Sequence, residues 1–320
     1  MNLLQIVRQA RFEVDAIRSG GTTSALWSDE ECNTAVNTAM DRAARVIRLA
    51  DSDLLSRSIE SDDSAIDLIA ESYDPSSFRL VDDTSDYTLP PDFVRVISLR
   101  PITADFEGVR FRPSRVNRKD FVDQRSIRNS DLSSIRGSDV TYAYALIGPR
   151  TIRFAPTPQD TIDLELVYQF RPPKLISYTT GTVTVTNAST AITGASTDWL
   201  VYGLRDPAEL VVGATTVTVD RYYPRVSSVT SATAATFQRT YQGTTAPGQT
   251  YALAMVPRLP DEHHAWLAQM AAAIMMRKVN PELSDKLAGV LEKQLMEDVR
   301  PELDMRQAQE SLIVEPFELP

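Results

Sequence analysis

Cysteine and histidine are nearly missing from this chain of 320 residues: there is one cysteine, Cys32, and two histidines, His263 and His264. A lone cysteine excludes an intrachain disulfide and a cysteine-based zinc site. Cys32 falls beside the apolar stripe of an expected helix, where a small half-buried side chain is the plain reading and a reactive thiol the alternative. The two histidines are adjacent, so on a helix they project about 100° apart and cannot act as an i,i+4 metal pair. With Asp261 and Glu262 just before them, a loose metal site can be drawn. An exposed helix start whose acids complement the dipole accounts for the same residues without a metal.

Long apolar runs are missing too, and none approaches the roughly 18 residues a membrane helix needs. The opening Met1-Asn2-Leu3-Leu4-Gln5 has no basic stretch followed by an apolar one, so no signal peptide is read and assembly in a cytoplasm is expected. There is no Gly-x-Ser-x-Gly elbow. Ser19-Gly20-Gly21-Thr22 lacks the Lys-Ser/Thr that would complete a phosphate loop. Carboxylate pairs such as Asp82/Asp83 or Glu30/Glu31 carry little meaning in a chain of net charge −10. Nothing favours the two facing acids of a wall glycosidase. The expectation is a non-enzyme, with no catalytic residue, no metal and no cofactor. So acidic a chain gains nothing from counterion release on DNA, which it would let slide past without sequence-specific binding.

What is present has the composition of a soluble globular protein, 42% hydrophobic and 24% charged. Leu3, Val7, Ala10, Val14 and Ile17 share one helical face. Ser28-Asp29-Glu30-Glu31 has the form of a capping box with Trp27 as its staple. Behind it Val36, Ala39, Met40, Ala43, Ile47, Ala50 and Leu54 form a long stripe, with Arg42, Arg45 and Arg48 on wetter faces. A short helix is expected over about 62–72. From about 76 the period changes to two, giving strands around the Leu89-Pro90-Pro91-Asp92 turn, a hairpin about Gly148-Pro149 and a strand over 161–170. After Arg171-Pro172-Pro173-Lys174 the chain becomes rich in Thr, Ser, Val and Ala. Short strands near 181–186, 190–194, 208–212, 215–220, 222–229, 235–241 and 250–255 suggest a small barrel or sandwich. Helices return at Pro260 and, with Asn280 as cap and Pro281 at the first position, after 280. Pro301 is expected to kink or restart the last one. The fold class is α+β: a helical-bundle core (1–177 and 257–310) with strands, an inserted small β-barrel or sandwich (178–256) and an extended tail (311–320).

Trp27-Ser28-Asp29-Glu30-Glu31 leading into Asn33-x-x-x-Asn37-x-Ala39 resembles the opening of tailed-bacteriophage head-to-tail adaptor (connector) proteins. So does Tyr87-x-Leu89-Pro90-x-Asp92-Phe93-x-Arg95-Val96, and the helices over 260–310 resemble their closing helices. Gly181-Thr182-Val183-Thr184-Val185-Thr186, Thr197-Asp198-Trp199 and Tyr241-Gln242-Gly243-Thr244 are similar to a β module of phage tail and connector proteins, although Gly194-Ala195 stands where that module has Gly-Thr. The resemblance implies a homo-oligomeric ring, commonly of twelve copies, in the neck of the virion. Such a ring joins the portal to a downstream tail or nozzle protein and lines the DNA exit channel, with the C-terminal extension docked on the portal.

Two segments stand out as candidate contact sites. Arg110, Arg112, Arg115, Arg118, Lys119, Arg125 and Arg128 face only Asp120 and Asp123 in the same stretch. This belt would meet DNA phosphates in the channel or acids of a sister subunit, the latter through the two-pronged geometry of arginine. The tail carries Leu312, Ile313, Val314, Pro316, Phe317 and Leu319 with acids and no base. Disordered tails are usually polar, so an apolar one implies a partner groove, by strand addition or anchor-in-groove. Two other functions remain open at this point. One is a carbohydrate- or receptor-binding tail protein, with Trp199, Tyr222, Tyr223 and Tyr241 stacking on sugars rather than filling the module's core. The other is a peptidoglycan hydrolase.

Overall fold

The computed structural model describes residues 1–17, 26–50, 53–59, 79–81, 83–101, 114–115, 143–155, 157–158, 162–199, 208–213 and 223–312. The expected short helix over 62–72 and strand over 215–220 lie outside them. The chain forms two compact units, Met1–Leu55 with Pro172–Pro320, and Ser56–Arg171. It is α+β, as expected.

The first unit holds four helices among the described residues: α1 (Leu3–Ile17), α2 (Asp29–Leu49), α3 (His264–Met276) and α4 (Pro281–Leu312). The Asn2 side chain accepts from the Gln5 amide while the Gln5 side chain accepts from the Asn2 amide, a reciprocal cap on α1. The same device caps α2, between Ser28 and Glu31. The expected stripe of α2 is buried from Val36 to Ile47, and Cys32 is fully buried rather than half-buried. Asn280 caps α4 through the Leu283 amide. α4 is helical through Pro301 to Leu312. A proline inside a helix removes one hydrogen bond, and the expected restart does not occur. α3 is buried apart from Ala265, Gln269 and the half-buried Ile274, and it lies against α1, α2 and α4. A helix apolar over nearly its whole circumference is a core helix.

The same unit contains an eight-stranded antiparallel sheet. Its strands are β9 (Ser177–Tyr178), β10 (Thr182–Val185), β11 (Ala191–Ala195), β12 (Ala208–Val212), β13 (Arg225–Val229), β14 (Ala234–Phe237), β15 (Ala246–Gln249) and β16 (Tyr251–Met255), in the spatial order β15-β10-β11-β14-β13-β12-β16-β9. Thr250 alone separates β15 from β16, yet six strand spacings lie between them across the sheet. Laid flat, these would set the two strands about 29 Å apart. One residue cannot span that, so the sheet must roll up on itself. No ladder among the described residues closes the roll, so the expected barrel is an open, curled sheet. Trp199, Val183, Val185, Ile192, Phe237, Leu253 and Tyr251 are buried in it. The Trp199 indole donates to the Tyr251 hydroxyl (2.8 Å), which donates to the Thr180 carbonyl (2.8 Å). Burial lifts the Tyr251 phenol to about 12, so it stays a protonated donor. β12 and β16 are buried on both faces because α1 covers the second one, with Leu4 against Val211 and Ala252.

The second unit has two sheets of four strands. β8 (Ile162–Phe170) pairs antiparallel with β1 (Ser56–Ile59), β2 (Arg79–Leu80) and β4 (Phe93–Pro101). β3 (Asp86–Thr88), β7 (Thr151–Ala155), β6 (Ala143–Gly148) and β5 (Ser114–Arg115) form the other sheet, in that order. The expected hairpin is β6–β7, with Gly148 paired to Thr151. The units divide at 55/56 and 171/172. β9 through β16 and the four helices belong to the same unit.

Candidate functional site

Three features of the first unit bear on what the chain can bind: a buried polar knot, the outer surface of the helices and a cavity in the rolled sheet.

The knot forms where α1, β12, β13 and the start of α3 meet. Asn2 donates to the carboxylate of buried Glu209 (2.9 Å). Arg225 reaches Glu209 at 3.6 Å and Asp261 at 3.8 Å. His264 is fully buried, with Nε2 3.0 Å from the Leu259 carbonyl and Nδ1 2.7 Å from the Met1 ammonium. A ring that donates from Nε2 to a carbonyl has a lone pair on Nδ1, which accepts from the ammonium. Burial, then the nearby positive charge, lowers the His264 imidazolium to about 4. Both ring nitrogens are therefore engaged. The expectation of an exposed helix start is corrected: Asp261 and Glu262 are exposed, but both histidines are buried. The same environment lowers the Met1 ammonium from its usual range, chiefly by burial. Among the described residues there is no group of three His, Cys, Asp or Glu able to hold a metal.

The helical surface exposes Phe12 on α1 (68%), Leu49 on α2 (67%) and Val290 on α4 (65%). Leu49 stands in a groove of about 310 Å³ between α2 and α4, with Val46 and Met296 as further apolar lining and Arg42, Arg45 and Lys293 as basic lining. Arg42 pairs with Glu292 at 3.3 Å.

The cavity, about 470 Å³, opens between β12, β13 and the turn after β14. Leu210, Val212, Tyr223 and Pro224 give it an apolar floor; Arg225, Gln238, Arg239 and Gln242 supply polar lining. Among the described residues no carboxylate lines it. The Tyr241 ring stacks on Phe237 at 5.7 Å and 12°. It also lies so close to Gly243 that a Cβ there would collide with it, which is why glycine occupies that turn position. Asn187 donates to the Gly243 carbonyl (2.8 Å), and Ala188 to that of Tyr241 (2.8 Å).

Of the basic belt, Arg115 lies in β5; Arg110, Arg112, Arg118, Lys119, Arg125 and Arg128 lie outside the described residues. Of the tail, Leu312 ends α4, and Ile313, Val314, Pro316, Phe317 and Leu319 lie outside them. Trp199 is completely buried, which removes it as a sugar-stacking platform; Tyr223 and Tyr241 line the cavity, and Tyr222 lies outside the described residues. Sequence reasoning missed Glu209 and Arg225. An acid inside the apolar strand Ala208-Glu209-Leu210-Val211 was the available signal, since a buried carboxylate requires a partner.

Residues 1–209 match the sequence model of the family described as SU10 adaptor protein. No curated protein matches the chain.

Proposed function

The chain belongs to the SU10 adaptor protein family, whose match spans 209 of its 320 residues, and from that premise we propose that it forms a homo-oligomeric ring in the virion neck, joining the portal to the tail and lining the DNA exit channel. At the level of the family it is a structural protein of the phage adaptor type. The family match is the observation that carries the reading.

The mechanism is mechanical. Phe12, Leu49 and Val290 offer apolar surface that sister copies and neighbouring rings can cover, at about 25 cal/mol for each Å² removed from water. A net charge of −10 suits a wall along which DNA slides. The basic belt about Arg115 and Arg118 pairs with acids of the next subunit and sets the register. The C-terminal residues 311–320 dock on the portal, and a portal template promotes the ring by mass action.

Negative-stain images of the full chain, with and without its portal, test this. Rings stacked coaxially on the portal are expected. A chain that stays monomeric and leaves the portal undecorated overturns the proposal.

A further inference from the structure

We propose that the cavity of the rolled sheet is a peptide site that, before the portal is met, holds the C-terminal segment 313–320 of this chain. The segment reads Ile-Val-Glu-Pro-Phe-Glu-Leu-Pro: two acids, no base, and apolar side chains throughout. The cavity is its chemical complement, with an apolar floor, two arginines at its polar side and, among the described residues, no acid in its lining. Such a lining is unusual in a chain with ten more acids than bases. Like charge does not repel an acidic peptide there, although it does over the surface at large.

The two arginines differ. Arg225 is shared between Glu209 and Asp261. Arg239 is exposed and has no ion pair among the described residues. It is the cation left to meet Glu315 or Glu318 through a charge-assisted bond. The wall is rigid before any ligand arrives, because Tyr241 is held between Phe237 and Gly243 and its turn is tied down by Asn187. A preformed wall lowers the ordering cost of binding a peptide. The volume accommodates a few side chains, of which Phe317 and Leu319 are the natural anchors. This site goes beyond the adaptor reading: it gives an apolar peptide cover in the free protein, and the portal then competes for the same residues.

The test uses the full chain without portal. A photoreactive benzoylphenylalanine replaces Phe317, and the crosslinks are mapped by mass spectrometry. Expected are crosslinks to 208–213 and 223–243, within a chain or between copies. Their yield should fall about tenfold in Arg239→Glu, the size of one lost charge-assisted contact. Glu315→Arg with Glu318→Arg in that background should restore it. Arg239 is exposed, so its replacement leaves the fold intact. Crosslinks confined to other segments, their absence until portal is added, or a yield indifferent to Arg239→Glu each overturn the proposal. The adaptor reading is tested separately by portal binding.

Discussion

The indole nitrogen of Trp27 donates a hydrogen bond to the main-chain carbonyl of Met275, 3.2 Å away and 248 residues later in the chain. One bond thus joins the entrance of α2 to the exit of α3, the two helical blocks that the β segments separate in sequence. Trp27→Phe should keep much of the packing and leave the carbonyl without this donor, at about 1 to 2 kcal/mol. Trp27→Ala should cost about 3 to 5 kcal/mol. Urea denaturation followed by circular dichroism checks both. Equal stabilities for the three proteins would contradict the contact.

Tyr251→Phe should destabilise by about 1 to 3 kcal/mol, because it leaves a buried indole N–H and a carbonyl without partners. The Trp199 emission of this variant should report a changed environment before the helices unfold. Thermal melts of the variant against the parent decide the matter.

Acid should weaken the fold through His264. Its imidazolium lies near 4 in the folded chain against 6.5 unfolded. Below 6.5 the unfolded state binds the proton that the folded state refuses, so stability drops as the pH falls from about 6.5 to about 4 and is flat below. The loss is on the order of 3 kcal/mol at most. His264→Gln should remove that slope, and unfolding free energies measured between pH 7 and 4 show whether it does. A variant with the parent's slope would place the titration elsewhere.

Leu49→Asp should leave the monomer folded, since the side chain is largely exposed, yet lower ring yield on a portal template. Sedimentation velocity with and without portal separates the two effects. Unchanged ring yield would remove the α2–α4 groove from the interface.

Elements governed by neighbours in sequence were legible in advance. Ser28 and Glu31 are three positions apart and form their box as read; Asn280 and Pro281 start α4 as read. The cap made by Asn2 and Gln5 is equally local, and Asn2-x-x-Gln5 was the available signal for it. β15 was hidden because Pro247 and Gly248 resemble a turn, and they are tolerated on an edge strand where no donor is required. The curl of the sheet follows from strand order, which single strands do not reveal. The knot about Glu209 and His264 joins positions some two hundred residues apart, and no periodicity records such a meeting.

α3 fills the space between α1 and α2, but the ribosome makes it roughly 210 residues after α2 ends at Leu49. At bacterial elongation rates the nascent chain therefore waits roughly 10 to 40 s with its first two helices lacking their shared centre. Through that interval the emerging polypeptide is a natural client for a holdase. Premature termination anywhere before His264 would yield a fragment prone to precipitate rather than a smaller soluble product.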